Sequence, residues 1–361
     1  MTTRRTGNGA RLHSEETGSP RVMARKVTSF DIAQMAGVSQ PTVSRALRGN
    51  PAVSEQTRKR IEAIAQQLHY TVDKNASSLR RRESKTLALL LFEDPTPDDS
   101  LINPFFLSML GSITRTCALR GYDLLISFQQ LSSDWHVDYE DSHKADGLIL
   151  LGYGDYDEYA QRLDQLVAQG THFVRWGSVQ PNAVETVVGC DNIQGGRAVT
   201  QHLIERGRRK IAFLGTATSG SPEFLDRYHG YADALALAGL EKSEPLHCDA
   251  ISTETDGYNA MVNLLQRGAT FDAVVTASDL IAVGAIRALK EAGRLVPEDV
   301  AVTGFDDILA ASMAIPPLTT VAQDSRAAGE ALVDTLLALI RGDSAPSIVL
   351  PARLVVRSSS G

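Results

Sequence analysis

The most regular pattern in the chain is a series of short apolar segments separated by amphipathic ones. Seven apolar segments follow one another between residues 86 and 306: TLALLLF, YDLLISF, DGLILLG, THFVRWG, KIAFLG, DAVVTAS and VAVTGFD. Apolar positions at helical spacing lie between most of them, at residues 104–120, 193–206, 227–239, 257–267 and 280–292. Strands that are apolar on both faces and alternate with helices are typical of a parallel α/β sheet with right-handed crossovers.

This α/β body spans about 275 residues, which is too many for one sheet of this kind. We therefore expect two parallel-sheet lobes with a cleft between them. In such folds a ligand lies beyond the carboxyl ends of the strands, so the cleft is the expected ligand site.

Residues 27–47 carry a different pattern, two short helices joined by a turn at Gly37, where a positive φ angle is needed. Thr28 and Asp31 are placed to form a capping box, and Ser39 precedes the second helix, with Pro41 in its first turn. The inner stripes are Ile32, Ala33, Ala36, Val43, Ala46 and Leu47. The pattern predicts an all-α helix-turn-helix, whose second helix fits the major groove of DNA; an ordinary helical hairpin is the alternative.

Ser54 begins a third helix that runs through Leu68, and the helical head is expected at residues 27–70. Residues 71–85 form a basic linker in which Leu79 is the apolar exception. Residues 1–26 are polar and basic and are expected to be a disordered extension, with Met23 as an alternative start.

The net charge of -7 conceals two oppositely charged parts. Residues 1–85 carry 16 Lys and Arg against 7 Asp and Glu, whereas residues 86–361 carry 20 against 36. The balance is therefore +9 in the first part and -16 in the second. A basic head on an acidic body directs phosphate attraction to the head and keeps the body away from DNA.

The composition, 43% hydrophobic and 22% charged, is that of a soluble globular protein. Cys117, Cys190 and Cys248 lie far apart without a CxxC motif, which favours a reducing compartment and argues against disulfides or a zinc finger. No apolar run has membrane-spanning length, and the first 26 residues lack the apolar core of a secretory signal. We expect a cytoplasmic protein.

The sequence contains none of the motifs that indicate catalysis on an α/β scaffold. GxSxG, a Walker glycine loop and GxGxxG after a strand are all missing, and the histidines show no HExxH or HxH spacing. We expect neither an enzyme nor a bound cofactor or metal.

The order of these parts resembles the lactose-repressor (LacI/GalR) family of bacterial transcription regulators. The head is similar through DIAQMAGVSQPTVSRAL, NPAVSEQTRKRI and HYTVDKNASSL. The body is similar through NPFF, CDNIQGGRAVTQHLIERGRRKIAFLG, DRYHGYADALALAGL, VPEDVAVTGFDD, PPLTTVAQD and LVVRSSS. The resemblance covers about residues 27 to 357, and the order and spacing of the motifs make it specific.

The resemblance implies that residues 86–357 bind a ligand and dimerise through two lobes of the periplasmic-binding-protein type. The lobes are expected at about 86–190 with 308–343, and at 191–307 with 344–357. It further implies a homodimeric repressor of carbohydrate-utilisation genes, which binds a pseudo-palindromic operator in double-stranded DNA and is switched by a sugar or glycoside. A solute-binding receptor without a transcriptional role is the alternative.

The resemblance places base-reading residues at Gln40, Pro41 and Arg45. Arg45 suits a bidentate pair with guanine, or alternatively a phosphate contact. Gln40 suits adenine, or alternatively stays solvated, and Pro41 can contact only a methyl edge because it has no side-chain donor. The remaining residues expected to contact DNA in the head are Thr28, Ser39, Thr42, Ser44, Arg48 and Asn50.

In the linker, Leu79 resembles the leucine that this family inserts into the minor groove at the operator centre. An isolated apolar side chain can unstack a base step while Arg80 and the neighbouring arginines hold phosphates. A short helix of this kind is expected to form only on DNA. A passive linker is the alternative.

Candidate ligand contacts lie in the body, and three of them, Arg227, Asp306 and Gln323, match ligand-contacting positions of the family. Phe105 and Phe106 suit the apolar face of a sugar, or alternatively pack in a core. Arg227 suits paired hydroxyls or a carboxylate, or alternatively forms an ion pair with Asp226 or Asp233. Asp306 matches a carboxylate that accepts hydroxyl hydrogen bonds.

Gln323 matches a ligand-contacting glutamine, and Asp307 is expected to serve the hinge or a loop. The chain departs from the family pattern at two places. Ser278 stands where many members have Asn, and FVRWG supplies Arg175 and Trp176 near a position that is often Asp. Trp176 is either a second stacking surface, which suggests a glycoside or disaccharide, or core at the lobe interface.

Overall fold

The computed structural model describes residues 27–47, 49–68, 70, 83–94, 101–152, 154–180, 183–240 and 244–361, apart from the side chains of residues 158 and 244. These residues fall into two compact units, a head within residues 27–70 and a body that begins at residue 83. The expected extension at residues 1–26, the linker up to residue 82 and three expected DNA contacts, Arg48, Leu79 and Arg80, lie outside the described residues.

The head contains three helices, α1 (Ser29–Ala36), α2 (Gln40–Ala46) and α3 (Glu55–Gln67). Asp31 accepts hydrogen bonds from the backbone nitrogen and the hydroxyl of Thr28, at 2.8 and 2.7 Å, and Gly37 ends α1 with a φ angle of 62°. The apolar stripes of the three helices meet in one small core: Ile32, Ala33, Ala36, Val43, Ala46, Val53, Ile61 and Ala65. The helix-turn-helix therefore forms with the predicted capping box, turn and core, whereas Ser39 stands at the start of α2 without a cap bond from its side chain.

The first lobe is built on a six-stranded parallel sheet. Its order is β11-β5-β4-β3-β1-β2, with β1 (Thr86–Leu91), β2 (Asp123–Phe128), β3 (Leu148–Leu151), β4 (Phe173–Trp176), β5 (Val187–Cys190) and β11 (Ile348–Leu350). Along β1, Leu87, Leu89 and Leu91 pack on one face while Ala88 and Leu90 pack on the other. Burial on both faces explains why this strand is continuously apolar.

The second lobe has a four-stranded parallel sheet and a two-stranded antiparallel one. The parallel sheet has the order β7-β6-β8-β9, with β6 (Ile211–Leu214), β7 (His247–Cys248), β8 (Ala273–Thr276) and β9 (Ala301–Thr303). The antiparallel pair is β10 (Thr320–Gln323) with β12 (Ala352–Val355).

Helices cover these sheets. They are α4 (Pro104–Arg120), α5 (Tyr156–Gln169), α6 (Asn192–Glu205), α7 (Pro222–Leu237), α8 (Glu254–Gln266), α9 (Asp279–Glu291), α10 (Leu309–Met313) and α11 (Ser325–Ile340). Helices α4 and α11 pack together in the core of the first lobe. The α/β body with parallel sheets and crossover helices agrees with the prediction from the sequence.

The expected lobe boundaries differ from the sheet pairing in two places. Residues 344–357 were expected in the second lobe, but β11 pairs with β5 and so belongs to the first sheet. Residues 308–343 were expected in the first lobe, but Leu318 and Val321 pack in the core of the second. The chain therefore returns to the first lobe only after β10 and leaves it again after β11.

Candidate functional site

Close packing of α6 against α7 fixes the position of Arg227. Gly196 and Gly230 face the neighbouring helix, where an added Cβ at Gly196 would meet the Arg227 backbone and one at Gly230 would meet that of Ile193. The glycine pair GG in the sequence therefore serves helix packing: Gly195 likewise leaves room for the ring of Phe305. Because α7 lies so close, the side chain of Arg227 is held inside the protein, 1% exposed.

Arg227 contacts groups from several elements of the second lobe. Its Nε donates to Oδ1 of Asn192 at 2.9 Å, and its Nη1 lies 3.5 Å from Oδ1 of Asp306 and donates to the carbonyl oxygen of Ala277. The guanidinium also lies over the ring of Phe305, 3.8 Å from its centroid. Arg227 thus forms an ion pair with Asp306. Of the two partners expected as the alternative, Asp233 is wrong, because it pairs with Arg197 at 2.7 Å.

Asp306 lies directly beyond β9, where the backbone has an unusual conformation. Its φ angle is 113°, and that of Asp307 is 54°; positive φ angles are strained for residues other than glycine. Gln323, at the end of β10, donates from Nε2 to Oδ1 of Asp306 at 2.6 Å. Burial raises the pKa of Asp306 to about 6, against the lowering effects of Arg227 and Gln323. Asp307 pairs with Arg357 instead of facing this cluster.

Asp279 is a second buried carboxyl group beside Asp306, which the sequence analysis did not include among the site residues. It is 0% exposed and accepts hydrogen bonds from the hydroxyl of Thr320 at 2.5 Å and the backbone of Ile308 at 2.9 Å. Burial, together with the charge of Asp306, raises its pKa well above the ordinary range. Asp279 therefore joins β10 and the segment after Asp306 to the N-terminus of α9.

Ser278 takes part in a chain of hydrogen bonds between the lobes. Its hydroxyl accepts from Ser252 at 2.9 Å, and the Ser252 hydroxyl accepts from Nδ2 of Asn103 in the first lobe at 3.2 Å. Ser278 also caps α9. The shorter side chain in place of the family's Asn thus contacts the other lobe through Ser252.

Phe105 and Phe106 pack in the core of the first lobe, which was the alternative to a ligand-facing role. Each is 1% exposed, and the two ring centroids are 5.3 Å apart. Asn103 caps α4 just before them, with Oδ1 accepting from the nitrogen of Phe105 at 3.0 Å. The cap sets the start of α4, and the first turn of this helix directs both rings inward.

Arg175 and Trp176 line a cavity between the lobes. Nε of Arg175 lies 2.7 Å from Oε1 of Glu185, and its guanidinium lies over the ring of Tyr156 at 5.0 Å. Trp176 is 5% exposed, packs against Phe105 at 5.9 Å and also borders the cavity. Trp176 thus belongs to the core and to the cavity wall, while Arg175 is held by an internal carboxylate.

Helix α7 closes this inter-lobe cavity from the second lobe. Pro222 and Glu223 line it, and Oε1 of Glu223 accepts a hydrogen bond from the nitrogen of Ser178 at 2.9 Å. The hydroxyl of Ser178 donates to Asp226, one turn further along α7, whose pKa is raised by burial. The cavity has a volume of about 30 Å³, so it holds water but no sugar ring unless the lobes separate.

The mouth of the cleft is held by two further contacts between the lobes. The nitrogen of Tyr156 donates to the carbonyl oxygen of Gly220 at 2.9 Å. The hydroxyl of Ser219 donates to Oδ2 of Asp157 at 2.7 Å. Together with Ser178, these contacts join the start of α5 and the loop after β4 to the start of α7.

The second helix of the head presents the expected DNA-contacting residues in different ways. Arg45 and Pro41 are exposed, and the hydroxyls of Ser39 and Thr42 lie 2.8 Å apart. Gln40 follows neither expected alternative exactly, because its Nε2 donates to Ser29 on α1 at 3.1 Å.

The other expected contacts of the head lie beside these helices. Thr28 is half-buried in the cap of α1, and Ser44 is half-buried on α2. Asn50 is exposed and accepts from the nitrogen of Ala52 at 2.9 Å, which fixes the turn before α3. Among the expected contacts of the head that the structure describes, Ser39, Pro41, Arg45 and Asn50 are exposed, and Arg45 is the charged one.

Several site residues were not predicted from the sequence: Asn192, Glu185, Glu223, Asp226 and Asp279. A buried strand followed by an acidic or amide residue at the start of a helix was a signal for Asn192 and Asp279. Glu185 and Glu223 carry no such local signal, since their partners lie across the fold. Within the described residues, no helix is long and apolar enough to span a membrane.

Comparisons with known families match both parts of the chain. The description "Bacterial regulatory proteins, lacI family" applies to residues 30–73, and "Periplasmic binding protein-like domain" applies to residues 200–360.

The chain is 33% identical to the HTH-type transcriptional regulator CelR of Thermobifida fusca over 341 residues, covering 93% of this chain and 98% of that protein. It is 29% identical to the ribose operon repressor of Escherichia coli K12, and the match covers 86% of this chain and 92% of that protein.

Two solved structures are similar over nearly the whole chain. One, a complex of the transcriptional regulator CelR with cellobiose, has a TM-score of 0.68 at 33% identity, with 92% of this chain and 99% of that chain covered. The other is a lac repressor dimer bound to operator and the anti-inducer ONPF. It has a TM-score of 0.80 at 26% identity, and the match covers 93% of this chain and 99% of that chain. The helix-turn-helix head, the two-lobed body and these similarities show that the chain belongs to the lacI family of bacterial regulatory proteins and is a transcriptional regulator of this type.

Proposed function

We propose that this regulator represses carbohydrate-utilisation genes and that a small sugar bound between its lobes changes its affinity for operator DNA. The observation that carries the proposal is the inter-lobe site itself. Buried ion pairs and hydrogen bonds from both lobes of the body meet at the cleft between these lobes, and the same chain carries a helix-turn-helix head. A ligand that bridges such contacts favours one arrangement of the lobes over another.

On the DNA side, we propose a homodimer whose two heads bind a pseudo-palindromic operator. The exposed Arg45 is proposed to read guanine, with Pro41, Thr42, Ser39, Ser44, Gln40, Asn50, Thr28 and Arg48 as the surrounding contacts. Leu79 is proposed to enter the minor groove while Arg80 holds a phosphate. Movement of the lobes would separate the two hinge segments and release the operator. If the ligand is a corepressor, it would instead favour the arrangement in which the hinge segments stay together on the operator.

The charges of the cleft favour a neutral sugar over a sugar acid or sugar phosphate. Arg175 is already paired with Glu185, and Arg227 with Asp306. An anionic ligand would have to displace these carboxylates, and Glu223 adds another carboxylate to the cavity that Arg175 lines. Hydroxyl groups, by contrast, can bond to the carboxylates and to Gln323 without displacing a charge.

The proposed ligand residues act in two groups. In the second lobe, Arg227, Asp306, Gln323 and Ser278 would bind hydroxyls once the lobes separate. In the first lobe, Arg175 and Trp176 would form the opposite wall, with Phe105 and Phe106 supporting Trp176 from the core. The protein is proposed to be cytoplasmic and to catalyse no reaction, in keeping with a role in gene regulation.

Two measurements test this proposal. Fluorescence anisotropy of promoter fragments, with bulk competitor DNA, should give specific binding that changes at least several-fold on adding one neutral sugar from a panel that includes cellobiose and ribose. Matched sugar acids and sugar phosphates should have no effect. Sugar binding without preference for any promoter would favour the solute receptor, and turnover of a sugar would favour an enzyme.

A further inference from the structure

A second and larger cavity adjoins the inter-lobe cavity. It has a volume of about 270 Å³ and shares three wall residues with its neighbour, Phe92, Gln129 and Tyr159. Its other described wall residues, among them Trp135 and Arg162, also belong to the first lobe. We call this cavity the outer pocket. All of its described wall residues belong to the first lobe.

Gln129 is the polar centre of the wall that the two cavities share. Its side chain is nearly fully buried, at 3% exposed. Nε2 donates to the carbonyl oxygens of Leu90 and Leu151, at 3.0 and 3.2 Å, which fixes the orientation of the amide. Oε1 is left without a hydrogen-bond partner among the described residues. A buried acceptor without a partner is costly, so a ligand hydroxyl at this position would gain a strong contact.

The rest of the outer pocket combines apolar ring surfaces with exposed polar groups. Trp135 donates from Nε1 to the carbonyl oxygen of Gln129 at 3.1 Å and packs on Tyr159 at 5.6 Å, so the rings are fixed. Arg162 lies over Trp135 at 5.3 Å, and Gln130 is exposed beside it. Rigid aromatic walls with planar polar side chains at the rim suit one face and the hydroxyls of a pyranose ring.

We propose that the outer pocket binds the second ring of a disaccharide whose first ring lies in the inter-lobe cavity, with Oε1 of Gln129 accepting a hydroxyl near the linkage. This proposal rests on the sugar-binding function proposed above and adds the size of the effector to it. A volume of 270 Å³ lies just below the usual range for small-molecule sites, about 300–1,000 Å³, which matches a subsite for one ring. The second ring would bind before the lobes rearrange around the first.

Isothermal titration calorimetry on the full chain tests this subsite. The probes are monosaccharides paired with their disaccharides: glucose with cellobiose and maltose, and xylose with xylobiose. The wild type should bind one disaccharide at least about tenfold more tightly than its monosaccharide, since the second ring adds contacts to Gln129 and the aromatic wall. Arg162→Ala and Gln130→Ala should each weaken disaccharide binding several-fold and leave monosaccharide binding unchanged.

Both substitutions are at exposed positions, so the fold should tolerate them. The matched control is Arg341→Ala, which removes an exposed arginine at the end of α11. Equal losses for the monosaccharide and the disaccharide, or no loss for either, would overturn the subsite. A wild type that binds a monosaccharide as tightly as its disaccharide would overturn it too, while the sugar-binding function would stand. If no sugar of any kind binds or changes operator affinity, the proposed function fails and the subsite fails with it.

Discussion

Arg227→Met should destabilise the body more strongly at pH 8 than at pH 5. The substitution removes the positive charge that lies 3.5 Å from Asp306, in a place where both side chains are at most 3% exposed. It also removes the donors to Asn192 and Ala277. Breaking a buried ion pair from one side costs about 3–5 kcal/mol, and Met recovers part of this by filling the space between the rings of Phe224 and Phe305.

We therefore expect a loss of about 3 kcal/mol in the free energy of unfolding at pH 8. With Arg227 present, Asp306 has a pKa of about 6, because the guanidinium opposes the effect of burial. Without Arg227 this pKa rises further. At pH 5 Asp306 is mostly protonated in both proteins, so the electrostatic part of the loss largely disappears. Above pH 6 only the wild type has a partner for the ionised carboxylate, and the loss grows with pH by up to about 1.4 kcal/mol per pH unit.

The assay is urea denaturation of the full chain, followed by circular dichroism at both pH values. Arg197→Met is the matched control, because this arginine on α6 pairs with Asp233 on α7, the helix that carries Arg227, but is half-exposed. An exposed pair contributes about 0–1 kcal/mol, so the control should change little at either pH. A loss for Arg227→Met that is the same at pH 5 and pH 8 would refute the coupling between Arg227 and Asp306.

The remaining predictions concern pH, DNA contact and helix packing. In the folded protein the pKa of Asp306 is raised from 3.8 to about 6, so its contribution to the free energy of unfolding is fully present below pH 4 and is lost as the pH rises through 6. Asp306→Asn should therefore flatten this part of the pH profile of the free energy of unfolding. A variant with the wild-type profile would contradict the assignment to Asp306. Arg45→Ala should weaken binding to the operator by about 1–3 kcal/mol in anisotropy titrations and should weaken binding to random DNA much less. Equal losses of affinity for the two DNAs would mean that Arg45 contacts a phosphate. Gly230→Ala should lower the free energy of unfolding by about 1–3 kcal/mol, because the new Cβ meets the backbone of Ile193; Gly111→Ala, with open space on α4, is the control and should be neutral or stabilising in the same urea titration.

All seven apolar segments contain a strand. In six of them the strand is buried almost throughout, which leaves a continuous apolar run. The seventh, β2, is an edge strand on which Leu125 and Ile126 are exposed, whereas β5 is buried throughout but was not predicted as a strand. Strands β11 and β12 were not predicted as separate strands, since most of their residues are half-buried or exposed and each strand has only three or four residues. Short strands of mixed exposure carry no periodic signal, and the lobe boundaries were misplaced for this reason.

Residues of the candidate site could be predicted only where neighbouring residues along the chain gave a signal for them. Asp306 and Gln323 follow or end buried segments and were expected at the site from the family resemblance, and the structure brings their side chains together. The pairing of Arg175 with Glu185 depends on a return of the chain after β4, which no pattern of side chains encodes. Phe105 and Phe106 show the opposite case: a sequence suited to a sugar face also suits a core, and the cap at Asn103 turns both rings inward.

The interleaving of the two lobes has a consequence during translation. The first sheet receives β11 as an edge strand, and α4 receives its packing partner α11, only when residues 325–350 have left the ribosome. By then the whole central portion of the second lobe has already been synthesised. A nascent chain therefore holds an incomplete first lobe, with an open sheet edge, for most of its synthesis. Messages truncated before residue 348 would yield proteins that carry the whole helix-turn-helix head but lack the edge strand β11 of the first sheet.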